Sequence, residues 1–218
     1  MSVILAMAVF VISHIALARF RLKAMLVNHF GRTAYVLGYS ILSVVLMGWV
    51  IWALRSADRL LLWAAPQWGY GVAVLLTCVS FVLIGIGAMT PNPFSVAVRN
   101  TAFNPKKPGF IGWMRHPIIW GLSLWGAAHL PVNGDWPSVV LFGGSAAFGA
   151  IGVARLERRK RDEFGAGTWQ RMTRARGHID RCSIYGLLVG LVLWLGFLAL
   201  HPILFGVDPL AMALSGIW

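Results

Sequence analysis

Residues 183–203 read SIYGLLVGLVLWLGFLALHPI. No charge interrupts this run, and it shows neither the alternation of a barrel strand nor the polar stripe of a surface helix. As a helix rising about 1.5 Å per residue, it matches the roughly 30 Å hydrocarbon core of a bilayer. Backbone groups in that core are satisfied only in helices or closed barrels. This stretch therefore decides for a helical membrane protein. Five further segments carry the same signal, at about 2–18, 34–54, 69–89, 117–133 and 137–154. The fourth is short and starts at His116-Pro117. The expectation is an all-α polytopic bundle of about six transmembrane helices, forming one domain over 1–218.

The composition agrees. Of 218 residues, 58% are hydrophobic and 12% charged, against about 25% charged in soluble domains. Disorder and collagen are excluded by the apolar content, and a disulfide scaffold by a count of two Cys. Cys78 and Cys182 read as small apolar residues. The net charge of +12 raises nucleic acid as a partner until the charges are placed. Four basic residues fall in 19–32, four in 91–116 and nine in 155–181, against two in 55–59 and none in the turn 131–136. Seventeen thus lie on one side, which the positive-inside rule makes cytoplasmic, with both termini outside. The charge reports topology, and nucleic acid is not expected. Ala16-Leu17-Ala18 resembles a signal-peptide cleavage site, but basic residues follow the first apolar run instead of preceding it, the pattern of an anchor.

The stretch 91–116 contains Pro91, Pro93, Pro105, Pro108 and Gly109 and is expected to be a structured loop. The stretch 155–181 reads as a helix leaving the fifth span, breaking at Gly165-Ala166-Gly167. Its arginines would meet anionic lipid at the cytoplasmic face.

Ionisable residues inside a span are costly and point to function. His14 lies in the first segment and His129 in the fourth, with no acid in either. Each reads as a hydrogen-bonded structural histidine or, as a pair, as axial ligands of a haem, since neutral imidazole ligates haem iron. Gly121 and Gly126 leave room for a macrocycle or for close helix packing. Arg115 and His116, beside Pro117 at a helix start, suit an anion or a substrate carboxylate, or simply flank a span on its basic side. Asn133-Gly134-Asp135 reads as a tight turn.

These residues resemble the NnrU family of membrane proteins, named from denitrification gene clusters. The resemblance rests on Ser13-His14 with Arg19, Pro91-Asn92-Pro93-Phe94, Arg115-His116-Pro117 with Gly121, Trp125, Ala128-His129-Leu130 and Asn133-Gly134-Asp135. The family includes the plant 15-cis-zeta-carotene isomerase, a haem b protein of the membrane. The resemblance implies haem b in a bacterial inner membrane, with His14 and His129 as ligands, Arg115 and His116 near propionates or a substrate head group, and either redox-gated isomerisation of a lipophilic polyene or an accessory role in nitrogen-oxide metabolism. A Cys that serves as an alternative ligand in the plant enzyme is replaced here by Gly126.

A wider resemblance reaches the isoprenylcysteine carboxyl methyltransferase group. It rests on Arg115-His116-Pro117 with Gly121, followed by Glu157, Phe164-Gly165 and Trp169. It implies S-adenosylmethionine at the cytoplasmic face. The aromatic residue usual two places after the Pro is Ile119 here. A non-catalytic partner protein is the third class. Depth tests the haem ligands: counted along their spans, His14 and His129 differ by ~10–12 Å, whereas two axial nitrogens stand about 4 Å apart. His116 shares the depth of His14 and is the alternative second ligand.

Overall fold

A computed structural model describes residues 2–17, 20–95 and 103–215, apart from the side chains of residues 20 and 32. Arg19 and Arg99 fall outside them. The described chain is helical: α1 (Val3–Leu17), α2 (Phe20–Arg55), α3 (Gln67–Met89), α4 (Pro117–His129), α5 (Trp136–Phe164), α6 (Ala166–Thr173), α7 (Arg181–Phe205) and α8 (Pro209–Leu214). Among the described residues, four helices are long and apolar enough to cross a membrane: Thr33–Arg55 within α2, α3, α5 and α7. A fifth is added if α1 and Arg21–Gly31, inclined by 74°, form one broken span. The sequence expectation of about six differs at the first and fourth segments. α1 has 15 residues and α4 has 13, about 22 Å and 20 Å of helix, short of the hydrocarbon core. Proline fixes the start of α4, and the turn at its end stops it.

A second difference lies at 20–31. The basic stretch between the first two spans is helical, because it contains good helix formers and no glycine before Gly31. At Gly31, φ 82 and ψ 160 interrupt the helix, a left-handed conformation that glycine tolerates.

The chain forms two compact units, Met1–Trp63 with Gly134–Gly144 and Ala64–Asn133 with Ser145–Trp218. In the first, Val3, Ala6 and Met7 of α1 pack with Val50 and Ala53 of α2 and with Leu141. Its turn uses the predicted residues. The Leu62 and Trp63 amides both donate to the Gly134 carbonyl, and a Cβ on Gly134 would collide with the Trp63 carbonyl. Asp135 caps α5 by accepting from the Ser138 amide at 3.0 Å.

In the second unit α3 is the axis. Gly85 meets Gly186 and Gly190 of α7 so closely that a Cβ on any of them would strike the other backbone. On the α4 side, a Cβ on Gly121 would stand 2.8 Å from the Ser80 carbonyl, and the Ser80 hydroxyl donates to the Gly121 carbonyl at 2.7 Å. Small residues replace hydrophobic burial as the basis of close packing where lipid is the solvent. The outward faces are apolar and open, with Ile203 79% and Leu75 68% exposed, as lipid contact requires. At one end of this unit the loop 103–113 docks on 177–180. The His178 amide donates to the Gly109 carbonyl at 3.1 Å, and Asp180 and Ser183 form a capping box at the start of α7. The two stretches placed on the basic side by charge counting thus share one end of the unit. Cys78 and Cys182 are free thiols.

Candidate functional site

The basic end of the second unit is built from loop to helix. α3 stops at Thr90, and the chain turns through Pro91-Asn92-Pro93-Phe94. Asn92 is fully buried. Its carboxamide donates to the Arg115 carbonyl at 2.8 Å, and its oxygen accepts from the Phe94 amide at 2.9 Å. This one side chain ties the loop to the residues before α4. Phe94 is the floor of an aromatic cluster, with edge contacts to Phe103, Phe164 and Trp169. Gly165, at φ 70, turns the chain from α5 into α6 and brings Trp169 back over Phe94.

Above this cluster sits Glu157 of α5. It accepts from Arg115 Nε at 2.9 Å and from Arg115 Nη2, the two-pronged geometry that suits guanidinium and carboxylate. Its second oxygen accepts from His116 Nε2 at 2.7 Å. The Arg115 guanidinium also lies 5.6 Å from the Trp169 ring centre, and that of Arg161 lies 6.0 Å from it. His116 is 3% exposed. Burial holds its proton affinity below the ordinary histidine value, opposed by the Glu157 hydrogen bond. A neutral His116 that donates from Nε2 has its lone pair on Nδ1, and that buried atom has no partner.

Arg115, His116, Glu157, Phe164 and Trp169 are thus brought together. Sequence reading singled out Arg115 and His116 as anion binders, whereas in the structure Glu157 occupies both. Asn92 was read only as part of a loop. A loop asparagine between two prolines was its one signal, and nothing in the sequence tied it to Arg115.

The other two predicted residues are held differently. In the second unit, His129 Nδ1 lies 2.8 Å from the Trp125 carbonyl, and Asn133 donates to the His129 carbonyl. In the first unit, His14 Nδ1 lies 2.7 Å from the Phe10 carbonyl, and Nε2 lies 3.0 Å from the Ser43 hydroxyl. A carbonyl oxygen can only accept, so Nδ1 carries a proton in both rings, while the Ser43 hydroxyl also donates to the Tyr39 carbonyl at 2.7 Å. Tyr39 stacks edge-on against His14 at 5.2 Å. It belongs to an apolar groove of about 380 Å³ lined also by Leu26, Phe30, Tyr35 and Leu42. Among the described residues no group of three or more His, Cys, Asp or Glu is placed to hold a metal ion.

These features define a polytopic helical membrane protein with one charged end built around a buried histidine and with histidines carried on its apolar helices. The family model described as NnrU protein matches residues 2–209, and the chain belongs to the NnrU family. No curated protein and no solved structure matches it.

Proposed function

We propose that this protein binds haem b in a bacterial inner membrane, with His14 and His129 each supplying an axial nitrogen. The observation that carries this reading is the shared tautomer. In each ring Nδ1–H is spent on the carbonyl four residues earlier. The lone pair is thereby assigned to Nε2, and a backbone carbonyl on the other nitrogen is the usual second partner of a metal-ligating histidine. At His14, ligation replaces the Ser43 contact. Arg115 Nη1, beyond the two nitrogens bound to Glu157, remains for a propionate or head group. When bound, haem b would supply the redox chemistry, with His14 and His129 as the residues that would hold it. The activity we attach to it is redox-gated isomerisation of a lipophilic polyene, and the apolar groove beside His14 supports a substrate of that class. Participation in denitrification without catalysis is the accessory form of the same reading.

The test is an absorption spectrum of purified protein before and after dithionite. A Soret band that shifts, with sharp α and β bands, is expected. A flat spectrum after expression with haem precursor overturns the proposal. His14→Ala and His129→Ala should each alter the bands. If His116→Ala does so instead of His129→Ala, the second ligand is His116.

Convergence of Arg115, His116, Glu157 and Trp169 favours a second reading, S-adenosylmethionine-dependent methyl transfer at the membrane edge. It ranks lower because it gives His14 and His129 no role. Saturable S-adenosylmethionine binding, lost in Arg115→Ala, would restore it.

A further inference from the structure

The end of α5 and the whole of α6 carry a feature that the haem reading does not use. Arg161, Ala166, Trp169, Gln170 and Thr173 line an open groove of about 560 Å³. Its floor is the Trp169 indole, itself 7% exposed. The Arg161 guanidinium is held over that ring, which limits the rotamers it must lose on binding. Among the described residues no carboxylate pairs with it. The Thr173 hydroxyl donates to the Trp169 carbonyl at 2.9 Å. Donors in the groove include the Arg161 guanidinium and the Gln170 carboxamide.

Charge and depth identify the ligand. Residues 155–181 hold nine basic and four acidic side chains. Two of the acids are already paired: Glu157 with Arg115 and His116, and Glu163 with Lys160. The uncharged run of α5 ends at Ala154. Arg161 lies seven residues further on, a rise of about 10 Å. Helical side chains lean toward the N-terminus, here back toward the apolar segment, which returns the guanidinium to the headgroup layer. That layer is about 5–8 Å deep on each side.

We propose that this groove binds the headgroup phosphate of an anionic phospholipid. Arg161 pairs with the phosphate oxygens, Gln170 donates a further hydrogen bond, and the remaining basic residues of α5 and α6 draw the lipid in. This site is independent of haem, so either proposal can fail alone.

The test uses the full chain in neutral detergent at physiological salt. Native mass spectrometry measures retention of phosphatidylglycerol and phosphatidylcholine. One phosphatidylglycerol should be retained in preference to phosphatidylcholine. Arg161→Gln should weaken that retention about tenfold. Arg158→Gln, the same loss of charge outside the groove lining, should cost about twofold or less. Gln170→Ala and Arg161→Lys keep the test readable if Arg161→Gln misfolds, and each should weaken retention roughly threefold. Equal losses in Arg161→Gln and Arg158→Gln would mean diffuse charge and overturn the site. So would equal retention of the two lipids. Displacement of phosphatidylglycerol by inorganic phosphate at a similar concentration would assign the groove to the free ion and overturn the lipid.

Discussion

His116 and His129 stand at the two ends of α4 and are held in opposite ways. His129 donates from Nδ1 to a carbonyl of its own helix, four residues back. His116 donates from Nε2 to Glu157, which lies 41 residues away on α5. The first arrangement is made within one helix, by a carbonyl four residues back. The second needs loop, helix and helix together, with Asn92 fixing the Arg115 backbone and Phe94 packing against Trp169, over whose ring Arg115 lies. His14 shares the intrahelical bond of His129, and its other nitrogen faces the Ser43 hydroxyl at 3.0 Å. The Nε2 of His116 ties the charged end together, while its buried Nδ1 has no hydrogen-bond partner.

The contrast can be broken most severely at the helix between the two. Gly121→Val places a side chain against the Ser80 carbonyl and forces α4 from α3. Overpacking of this kind costs about 3 kcal/mol, and both ends should fail together as a lowered melting temperature in detergent. Retention of wild-type stability would mean the α3–α4 contact is not as close as described. Glu157→Ala separates the ends. It strips Arg115 and the buried His116 of their partner, a loss of roughly 2–3 kcal/mol, while leaving His129 intact. Thermal unfolding should register the loss, and ¹⁵N spectra of the imidazoles should change at His116 and not at His129. A change at both would show that the ends are coupled. The smallest effect is expected from acid. Because burial depresses the His116 pKa below 6.5, the unfolded chain binds the proton first as pH falls. The associated stability is present above pH 6.5 and is lost as pH drops through the folded value. Melting temperature should decline on acidification more steeply in the wild type than in His116→Asn. Parallel declines would remove His116 from the account.

The same division explains what could be read from the chain alone. Thr33–Arg55, α3 and α7 follow from unbroken apolar runs, and the break at Gly165 from the glycine itself. The tautomers of His14 and His129 are not legible in the sequence, because they depend on the side-chain rotamer that brings Nδ1 to the carbonyl four residues back. The clasp of Glu157 on Arg115 and His116 joins residues from two helices. Glu157 stands out in sequence only as the first acid after an apolar span and as an echo of another family. Asn92 has no periodicity to betray its role. The end of α4 is not marked in the sequence, because Leu130, Pro131 and Val132 are as apolar as the helix they follow, although they form a turn.

The seam of Gly85, Gly186 and Gly190 has a consequence for traffic in the bilayer. With two backbones in contact along α3 and α7, no acyl chain or dissolved polyene can slip between them. That flank of the second unit is a closed wall. A hydrophobic molecule reaching this unit from the lipid phase must come by another side, which directs the search for its doorway away from the most apolar helices of the chain.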